Sequence, residues 1–310
     1  MLIQIVIFVV ALAGLLMAAK FFTDAAEKIG LYFKFPSFVI GIFIVGIGTS
    51  LPELVSGILS VNKNASEILS GNIIGANISN ILLITGLAVA LNRKSISLGS
   101  TYIYIDLHFL IGAIFFFYMI AYDGIIVWNE AFIGILMFLV YSVYLIRNNT
   151  TTDAGISETA PAQFPFKDLG LLLLAGVGIY FGADYTVASL EQIALALSIP
   201  PAIIALTLLS LGTTLPELAV NISAIKAGKA EMAMGNVLGS CIFNTLAIPG
   251  ITSLIGNINV PANLLGFSLP VMAGCGLLFY LLTQDKKISV WEGLMLVLLY
   301  VLFMLKIAGF

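Results

Sequence analysis

One nine-residue segment occurs twice in this chain, each time inside a long apolar run. Residues 46–54 read GIGTSLPEL, and residues 210–218, 164 positions later, read SLGTTLPEL. Each copy places a glutamate directly after a proline. An ionisable side chain at the centre of a bilayer costs about 2.5–3.5 kcal/mol or more, so a membrane helix rarely carries one without a role for it. The repeat therefore indicates a duplicated unit with one functional carboxylate in each copy.

A second pair of segments keeps the same spacing. Residues 71–80 read GNIIGANISN, and residues 235–244 read GNVLGSCIFN. We therefore divide the chain into a first repeat at residues 1–147, a linker at 148–166 and a second repeat at 167–310. The linker is the one polar stretch, rich in Thr, Ser and Ala, and this composition predicts a flexible connection.

The composition is that of an integral membrane protein. Hydrophobic residues make up 60% of the chain and charged residues only 9%, with a mean hydropathy of +1.11. Apolar runs of about 20 residues predict spanning α-helices, whereas a barrel would show shorter alternating strands. We therefore expect the protein to lie in a lipid bilayer and to have no nucleic-acid partner. Cys241 and Cys275 lie in apolar runs and are expected to be buried thiols and not a disulfide.

We predict an all-α fold of ten transmembrane helices, five in each repeat. The predicted helices run approximately over residues 2–29, 36–61, 68–91, 101–121, 125–146, 167–197, 201–227, 231–255, 262–283 and 288–308. The first is read as a mature helix because it lacks the features of a signal peptide.

The distribution of Lys and Arg predicts the orientation. With the N-terminus outside, eleven of the thirteen basic residues face the cytoplasm and only Lys63 and Lys306 remain outside. This bias places both termini outside the cell membrane and the linker in the cytoplasm. An odd number of helices in each repeat then inserts the two halves in opposite directions. Such inverted repeats are typical of secondary transporters, which bind substrate near the midplane on interrupted helices.

The Pro-Glu motif has the chemistry of a cation site. Pro52 has no N–H, so the carbonyl of Gly48 loses its helical partner and the turn opens. The hydroxyl of Thr49 and the carboxylate of Glu53 are four residues apart and share a face. The second copy repeats this arrangement, and two inverted copies that meet at mid-membrane would bring two carboxylates together.

Ligands that are all oxygen, with two of them acidic, favour a hard cation. Six to eight oxygens at variable distances suit Ca²⁺ better than Mg²⁺, which demands a stricter octahedron. No histidine or cysteine belongs to the Pro-Glu motifs, which argues against zinc and copper. Two carboxylates are neutralised by one Ca²⁺ or by two Na⁺. If the site opens alternately to either side of the membrane, Ca²⁺ and Na⁺ compete for it. An empty site with two negative charges is costly in hydrocarbon, so the site would change sides only with ions bound, and this produces exchange.

With these motifs, the chain resembles the sodium/calcium exchanger family of the cation/calcium exchanger superfamily, over nearly its whole length. The resemblance implies that the second, third, seventh and eighth helices form the ion-binding core, while the first and sixth act as a moving gate. It implies as calcium ligands Glu53, Glu217, Thr49 and Thr213. It implies as sodium ligands Ser50, Thr214, Ser240 and the backbone carbonyls of Gly46 and Ser210. The sequence itself adds Asn80 and Asn244, on the neighbouring helices, as neutral carbonyl donors to sodium or to bound water.

Two positions depart from the family pattern. Ala76 stands where relatives place a serine, the counterpart of Ser240, so one sodium site lacks an oxygen. Asn244 stands where potassium-dependent members have an aspartate, which argues against potassium dependence. Simpler interpretations stay open as well. The Thr and Ser hydroxyls would then bond back to the preceding turn, and Asn80 and Asn244 would only join helices.

The sequence favours an antiporter that exchanges Ca²⁺ for Na⁺. The alternative is Ca²⁺/H⁺ exchange, in which Glu53 and Glu217 titrate; Ala76 keeps it open. A cation channel is less favoured, because an internal inverted repeat builds a single occluded site. We expect no enzymatic activity and no cofactor, since His108 is the only histidine and lies outside the motifs. We expect the protein to function as a monomer.

Overall fold

The structure, a computed structural model, describes residues 2–33, 46–92, 96–97, 102–149, 164–226 and 230–309. The described chain is almost entirely helical, which confirms the predicted class. Within the first repeat the helices are α1 (Leu2–Tyr32), α2 (Ile47–Thr49 and Leu51–Asn62), α3 (Glu67–Asn92), α4 (Tyr102–Ala121) and α5 (Trp128–Asn149). In the second repeat they are α6 (Phe166–Leu197), α7 (residues 201–226), α8 (residues 230–252), α9 (Leu264–Thr283) and α10 (Val290–Ile307).

Eight of these helices are long and apolar enough to cross a membrane, judged by length and composition. The other two are α2 and α4. The predicted start of α2 falls in residues 34–45, outside the described residues, and the apolar part of α4 is Asp106–Ala121. Most of the predicted linker, residues 150–163, also lies outside them.

Four of the described helices contain π-helical segments, in which the backbone N–H of one residue bonds to the carbonyl five residues earlier. These segments are Ser79–Ile84 in α3, Ala205–Leu209 in α7 and Phe243–Ala247 in α8, and a fourth, Leu264–Ser268, begins α9. A π-helical turn inside an α-helix is rare and frequently marks a functional site. Those in α3 and α8 contain Asn80 and Asn244.

Burial separates the central helices α3 and α8 from peripheral helices, among them α1 and α6. Most residues of α3 and α8 are buried, whereas α1 and α6 are largely exposed on the outside and pack along each other. Added Cβ atoms on Gly178 and Gly182 of α6 would press on Ala18 and Leu15 of α1, so small residues let these two helices approach closely. The order of these contacts makes α1 and α6 antiparallel.

The central helices also approach closely, as the glycines of the second motif predict. A Cβ atom on Gly71 would clash with the backbone carbonyl of Ala202, and one on Gly75 with that of Leu206. Backbone contact between α3 and α7 therefore depends on these two glycines. The equivalent contact of Gly235 and Gly239 would involve residues 34–45, outside the described residues.

Within the described residues, four two-residue strands lie in the loops between helices and pair these loops with one another. β1 (Ile96–Ser97) pairs with β4 (Lys287–Ile288), and β2 (Ile125–Ile126) pairs with β3 (Ile258–Asn259), both antiparallel. The helices that we predicted to start at residues 125 and 288 therefore start later. A turn at Gly124, whose φ of 89° suits glycine, precedes β2. A capping box of Ser289 and Glu292 starts α10. The eighth helix ends at Thr252, short of the predicted residue 255.

Candidate functional site

Both copies of the Pro-Glu motif interrupt their helix. The break falls at Ser50 (φ −92°, ψ 7°) in α2 and at Thr214 (φ −86°, ψ 2°) in α7. A new helical segment begins directly after each break, and its proline lies in the first turn, where the missing N–H has no helical partner to lose. Glu53 and Glu217 lie in the same first turn, where the positive end of the helix dipole favours a carboxylate.

The two carboxylates meet, one from each repeat. Glu53 and Glu217 are both fully buried, and they lie near enough for their charges to repel each other. Within the described residues neither carboxylate forms an ion pair. The ion pairs Lys28–Asp168 and Lys63–Asp184 involve other residues. The centre of the protein therefore holds two adjacent buried acidic groups without a basic partner.

A threonine hydroxyl of the opposite repeat lies beside each carboxylate, Thr213 beside Glu53 and Thr49 beside Glu217, but in the described residues only Glu217 accepts hydrogen bonds within 3.5 Å. Oε1 of Glu217 accepts from Ser50 Oγ at 3.3 Å and from Ser240 Oγ at 3.4 Å. Oε2 of Glu217 and both oxygens of Glu53 accept no hydrogen bond in the described part of the chain. The counterpart of Ser240 is Ala76, so the donor that Glu217 has is missing on the Glu53 side.

The threonines contact backbone carbonyls in the turn just before each helix break. Thr49 Oγ1 donates to the carbonyl of Gly46 at 3.2 Å, and Thr213 Oγ1 lies 3.4 Å from the carbonyl of Ser210. Thr213 also approaches Oδ1 of Asn72 at 3.4 Å. The predicted hydroxyl and carbonyl oxygens are thus clustered within each motif.

Ser50 and Thr214 occupy equivalent positions but make different contacts. Ser50 reaches across to Glu217 in the other repeat. Thr214 Oγ1 donates back to the carbonyls of Ser210 at 2.9 Å and Leu211 at 3.2 Å. The back-bonding interpretation therefore describes Thr49, Thr213 and Thr214 but not Ser50.

Asn80 and Asn244 are fully buried in the π-helical segments of α3 and α8. The amide oxygen and nitrogen of both side chains have no hydrogen-bond partner in the described residues. Buried polar groups are normally hydrogen-bonded, so unpartnered amides here fit groups that await a ligand.

Two further buried amides near the motifs were not among the predicted site residues. Oδ1 of Asn72 lies 3.4 Å from the hydroxyl of Thr213. Asn221 is fully buried one turn after Glu217, and both of its amide atoms are unpartnered. The four-residue spacing of Thr213, Glu217 and Asn221 could have identified it.

Comparisons with known proteins agree with this geometry. The family described as "Sodium/calcium exchanger protein" matches residues 3–148 and 167–308. The chain is 31% identical over 298 residues to an uncharacterised membrane protein of Methanocaldococcus jannaschii, covering 95% of both chains. It is 29% identical over 342 residues to the sodium/calcium exchanger MaX1 of Methanosarcina acetivorans, covering 96% of this chain and 97% of MaX1.

A solved structure of the sodium-calcium exchanger NCX_Mj, soaked with 2.5 mM Na⁺ and 1 mM Sr²⁺, is also similar. It superposes with a TM-score of 0.69 at 29% identity and covers 97% of each chain. The resemblance in the Pro-Glu motifs thus extends to the full length and to the arrangement of the helices. The chain belongs to the sodium/calcium exchanger protein family.

Proposed function

We propose that the protein is an antiporter that exchanges Ca²⁺ for Na⁺ across the cell membrane, with Glu53 and Glu217 as the shared binding groups. The observation that carries this proposal is the pair of fully buried, unpaired carboxylates contributed by the two repeats. Leaving such charges uncompensated in a membrane is costly. A divalent cation or two monovalent cations would compensate them, and the ions are thus transported substrates and not a resident cofactor.

The surrounding oxygen atoms suit these cations. We propose that Thr49 and Thr213 complete the calcium site with the two carboxylates, because Ca²⁺ accepts hydroxyl and carbonyl oxygens at variable distances. The same oxygens would be divided among sodium ions. We assign to the sodium sites Ser50, Thr214, Ser240, Asn80, Asn244 and the carbonyls of Gly46 and Ser210. MaX1 is named a sodium/calcium exchanger, and NCX_Mj was soaked with Na⁺, Ca²⁺ and Sr²⁺, which supports these ions as substrates.

We further propose ten membrane crossings as two inverted repeats. An offset of 162 residues relates β1 to β3 and β2 to β4. Exchanging the two halves of the chain by this offset therefore turns the strand pair β1–β4 into the pair β3–β2, with the same residue register. This exchange is what a two-fold axis in the membrane plane would produce. The antiparallel packing of α1 and α6 supports the same arrangement. Both termini would lie outside, and α1 and α6, which lie at the periphery, would be the moving gate of a functional monomer.

The alternative coupling ion is H⁺. One observation favours it: Glu53 accepts no hydrogen bond in the described residues, and Ala76 removes the hydroxyl that would donate one. A proton bound to Glu53 would neutralise its negative charge and, unlike Na⁺, would not need further oxygen ligands around it. The two coupling modes differ in which gradient drives calcium movement.

Flux measurements in proteoliposomes test the proposal. Vesicles loaded with Na⁺ should take up ⁴⁵Ca²⁺ from Na⁺-free medium, and Glu53→Gln and Glu217→Gln should abolish uptake. Glu67→Gln, a carboxylate in the first turn of α3 that is outside the site, is the matched control and should retain uptake. Uptake driven by a pH gradient without Na⁺ would assign the protein to Ca²⁺/H⁺ exchange. Calcium movement without any counter-ion would contradict antiport.

A further inference from the structure

Two polar stripes continue past the carboxylate pair on neighbouring helices. On α7 the stripe consists of Thr213, Glu217 and Asn221, and on α8 it includes Asn236 and Ser240. Residues four apart share one face of a helix, so each stripe lies along one side. The contact between Ser240 and Glu217 fixes the level at which the two stripes meet.

The register of the two helices brings the remaining asparagines to one level. The segment Leu215–Lys226 of α7 packs against Ala230–Ile242 of α8, and only residues 227–229 connect them, so they are antiparallel neighbours. One turn from Glu217 towards the end of α7 is Asn221. One turn from Ser240 towards the start of α8 is Asn236. The two amides therefore stand opposite each other, beside the carboxylate pair.

Both amides are buried and lack partners. Asn221 is 0% exposed and Asn236 is 4% exposed. The side-chain oxygen and nitrogen of each make no hydrogen bond within the described chain. The two side chains thus leave four buried polar atoms without partners at the same level of α7 and α8. Burial of unpartnered amide atoms costs free energy, so these atoms are expected to bind a ligand.

The first repeat has no equivalent arrangement. The counterparts at an offset of 164 are Gly57 and Asn72. Gly57 has no side chain, and the side chain of Leu69 occupies the space beside it. Oδ1 of Asn72 already lies within hydrogen-bonding distance of Thr213. The pair of unpartnered amides between α7 and α8 is thus not repeated at the equivalent described positions of the first repeat.

We propose that Asn221 and Asn236 form a binding site for one partly hydrated monovalent cation, next to the carboxylate pair on the side where α7 ends and α8 begins. The two amide oxygens would bind the ion, and the two NH₂ groups would hold its remaining water molecules. Neutral ligands suit a monovalent cation, whereas stripping water from a divalent ion requires carboxylates. That the ion is Na⁺ rests on the proposed function. The site makes exchange asymmetric, because Na⁺ arriving from this side meets an additional binding step.

Flux measured separately from the two faces tests this site. In proteoliposomes of uniform orientation, the Na⁺ concentration that gives half-maximal ⁴⁵Ca²⁺ movement is determined on each face. Asn221→Ala should raise this concentration roughly fivefold on the α7–α8 face, the effect of losing about one ligand interaction, and leave the other face unchanged. Asn221→Asp should lower it on the same face. Asn77→Ala, which truncates a buried asparagine of α3 outside both stripes, is the control and should not distinguish the faces.

The outcomes separate this proposal from the proposed function. Exchange of ⁴⁵Ca²⁺ for unlabelled Ca²⁺ without Na⁺ identifies folded variants, and if Asn221→Ala lacks it, Asn221→Ser and Asn221→Asp carry the test. A Na⁺-dependent wild-type protein whose Asn221 variants shift both faces equally, or neither, would overturn the amide site alone. A wild-type protein whose calcium flux ignores Na⁺ would overturn both proposals.

Discussion

The hydroxyl of Ser50 donates to the carboxylate of Glu217 at 3.3 Å, so a side chain of the first repeat contacts the acidic group of the second. The reciprocal contact, from Thr214 to Glu53, is absent from the hydrogen bonds of the described residues, because Thr214 donates to carbonyls of its own helix. The two halves, nearly identical in motif, therefore build an asymmetric site.

This asymmetry predicts that Ser50→Ala weakens calcium binding more than Thr214→Ala does. Hydrogen bonds to charged groups contribute about 1.5–3 kcal/mol, so loss of the Ser50 donor should raise the half-saturating Ca²⁺ concentration roughly tenfold or more. Thr214→Ala removes a hydroxyl that bonds to its own helix and should change it less. The measurement is ⁴⁵Ca²⁺ exchange against calcium concentration in the absence of Na⁺. Equal effects of the two substitutions would contradict the observed geometry.

Ala76→Ser should restore a hydroxyl beside Glu53 and strengthen sodium binding. The second repeat shows the expected contact, since Ser240 lies 3.4 Å from Glu217. We expect the half-maximal Na⁺ concentration for calcium release to fall roughly fivefold, the effect of one net hydrogen bond or ligand. Ser240→Ala is the matched opposite change and should raise it. If Ser240→Ala changes the half-maximal Na⁺ concentration and Ala76→Ser does not, position 76 does not contribute a sodium ligand as position 240 does, and the prediction is wrong.

Gly75→Ala should destabilise the protein by separating α3 from α7. The added methyl group would meet the backbone carbonyl of Leu206, which cannot rotate away, and the side chain of Ser210. Overpacking of this kind typically costs about 1–3 kcal/mol, which thermal unfolding in detergent would detect. Gly274→Ala in α9 is the control, because an added Cβ there meets no atom within 4 Å. A melting temperature lowered equally by both substitutions would point to a general effect of alanine.

The ion pair of Lys28 and Asp168 should contribute little near neutral pH. Asp168 accepts from Lys28 Nζ at 2.7 Å and raises the pKa of this exposed lysine above its ordinary value of 10.5. A raised lysine pKa contributes stability that is fully present below the unfolded-state value and is lost as pH rises through the folded-state value. Melting temperatures of wild type and Lys28→Ala should therefore keep a constant, small difference between pH 6 and 9. A difference that changes within that range would implicate another titrating group.

The proposed orientation predicts which loops an impermeant thiol reagent reaches. Asn257, before β3, would lie outside the cell, and Asp285, before β4, would lie in the cytoplasm. Both are exposed, whereas Cys241 and Cys275 are buried, so background labelling should be low. Asn257→Cys should react in intact cells, and Asp285→Cys only after permeabilisation. The reverse pattern would invert the orientation, and equal reactivity would contradict the placement of the two loops on opposite sides.

Much of the site was predictable because the duplicated motif specifies both the chemistry and the position of its residues. A constant offset pairs Glu53 with Glu217, and an intramembrane carboxylate needs a partner, so their approach follows from the sequence. The different hydrogen bonds of Ser50 and Thr214 do not follow from the sequence. Both are hydroxyl residues before Leu-Pro, and their different contacts depend on side-chain rotation at the break, which small differences in neighbouring packing decide.

Asn221 shows a different limit of sequence reasoning. Its counterpart is Gly57, so the repeat gives no indication of it, and an asparagine near a helix end is unremarkable in a polar context. Its four-residue spacing from Glu217 places it on the face of the carboxylate, and burial without a partner then distinguishes it from an ordinary helix-end asparagine. The short strands at residues 125–126 and 287–288 were predicted as helix starts because their isoleucines continue the apolar runs. Their pairing partners, at residues 258–259 and 96–97, are distant in sequence, and no local pattern marks such pairing.

The two β ribbons each take one strand from either half of the chain. Neither half can therefore complete a ribbon by itself, and each half alone leaves two strands, one for each ribbon, whose partners lie in the other half. Two copies of a single five-helix precursor, inserted in opposite directions, would have presented the same complementary edges to each other. In that case the present single chain would preserve, as covalently linked halves, the contacts of an ancestral antiparallel dimer. A chain cut within residues 150–163 should then still assemble when both pieces are made together.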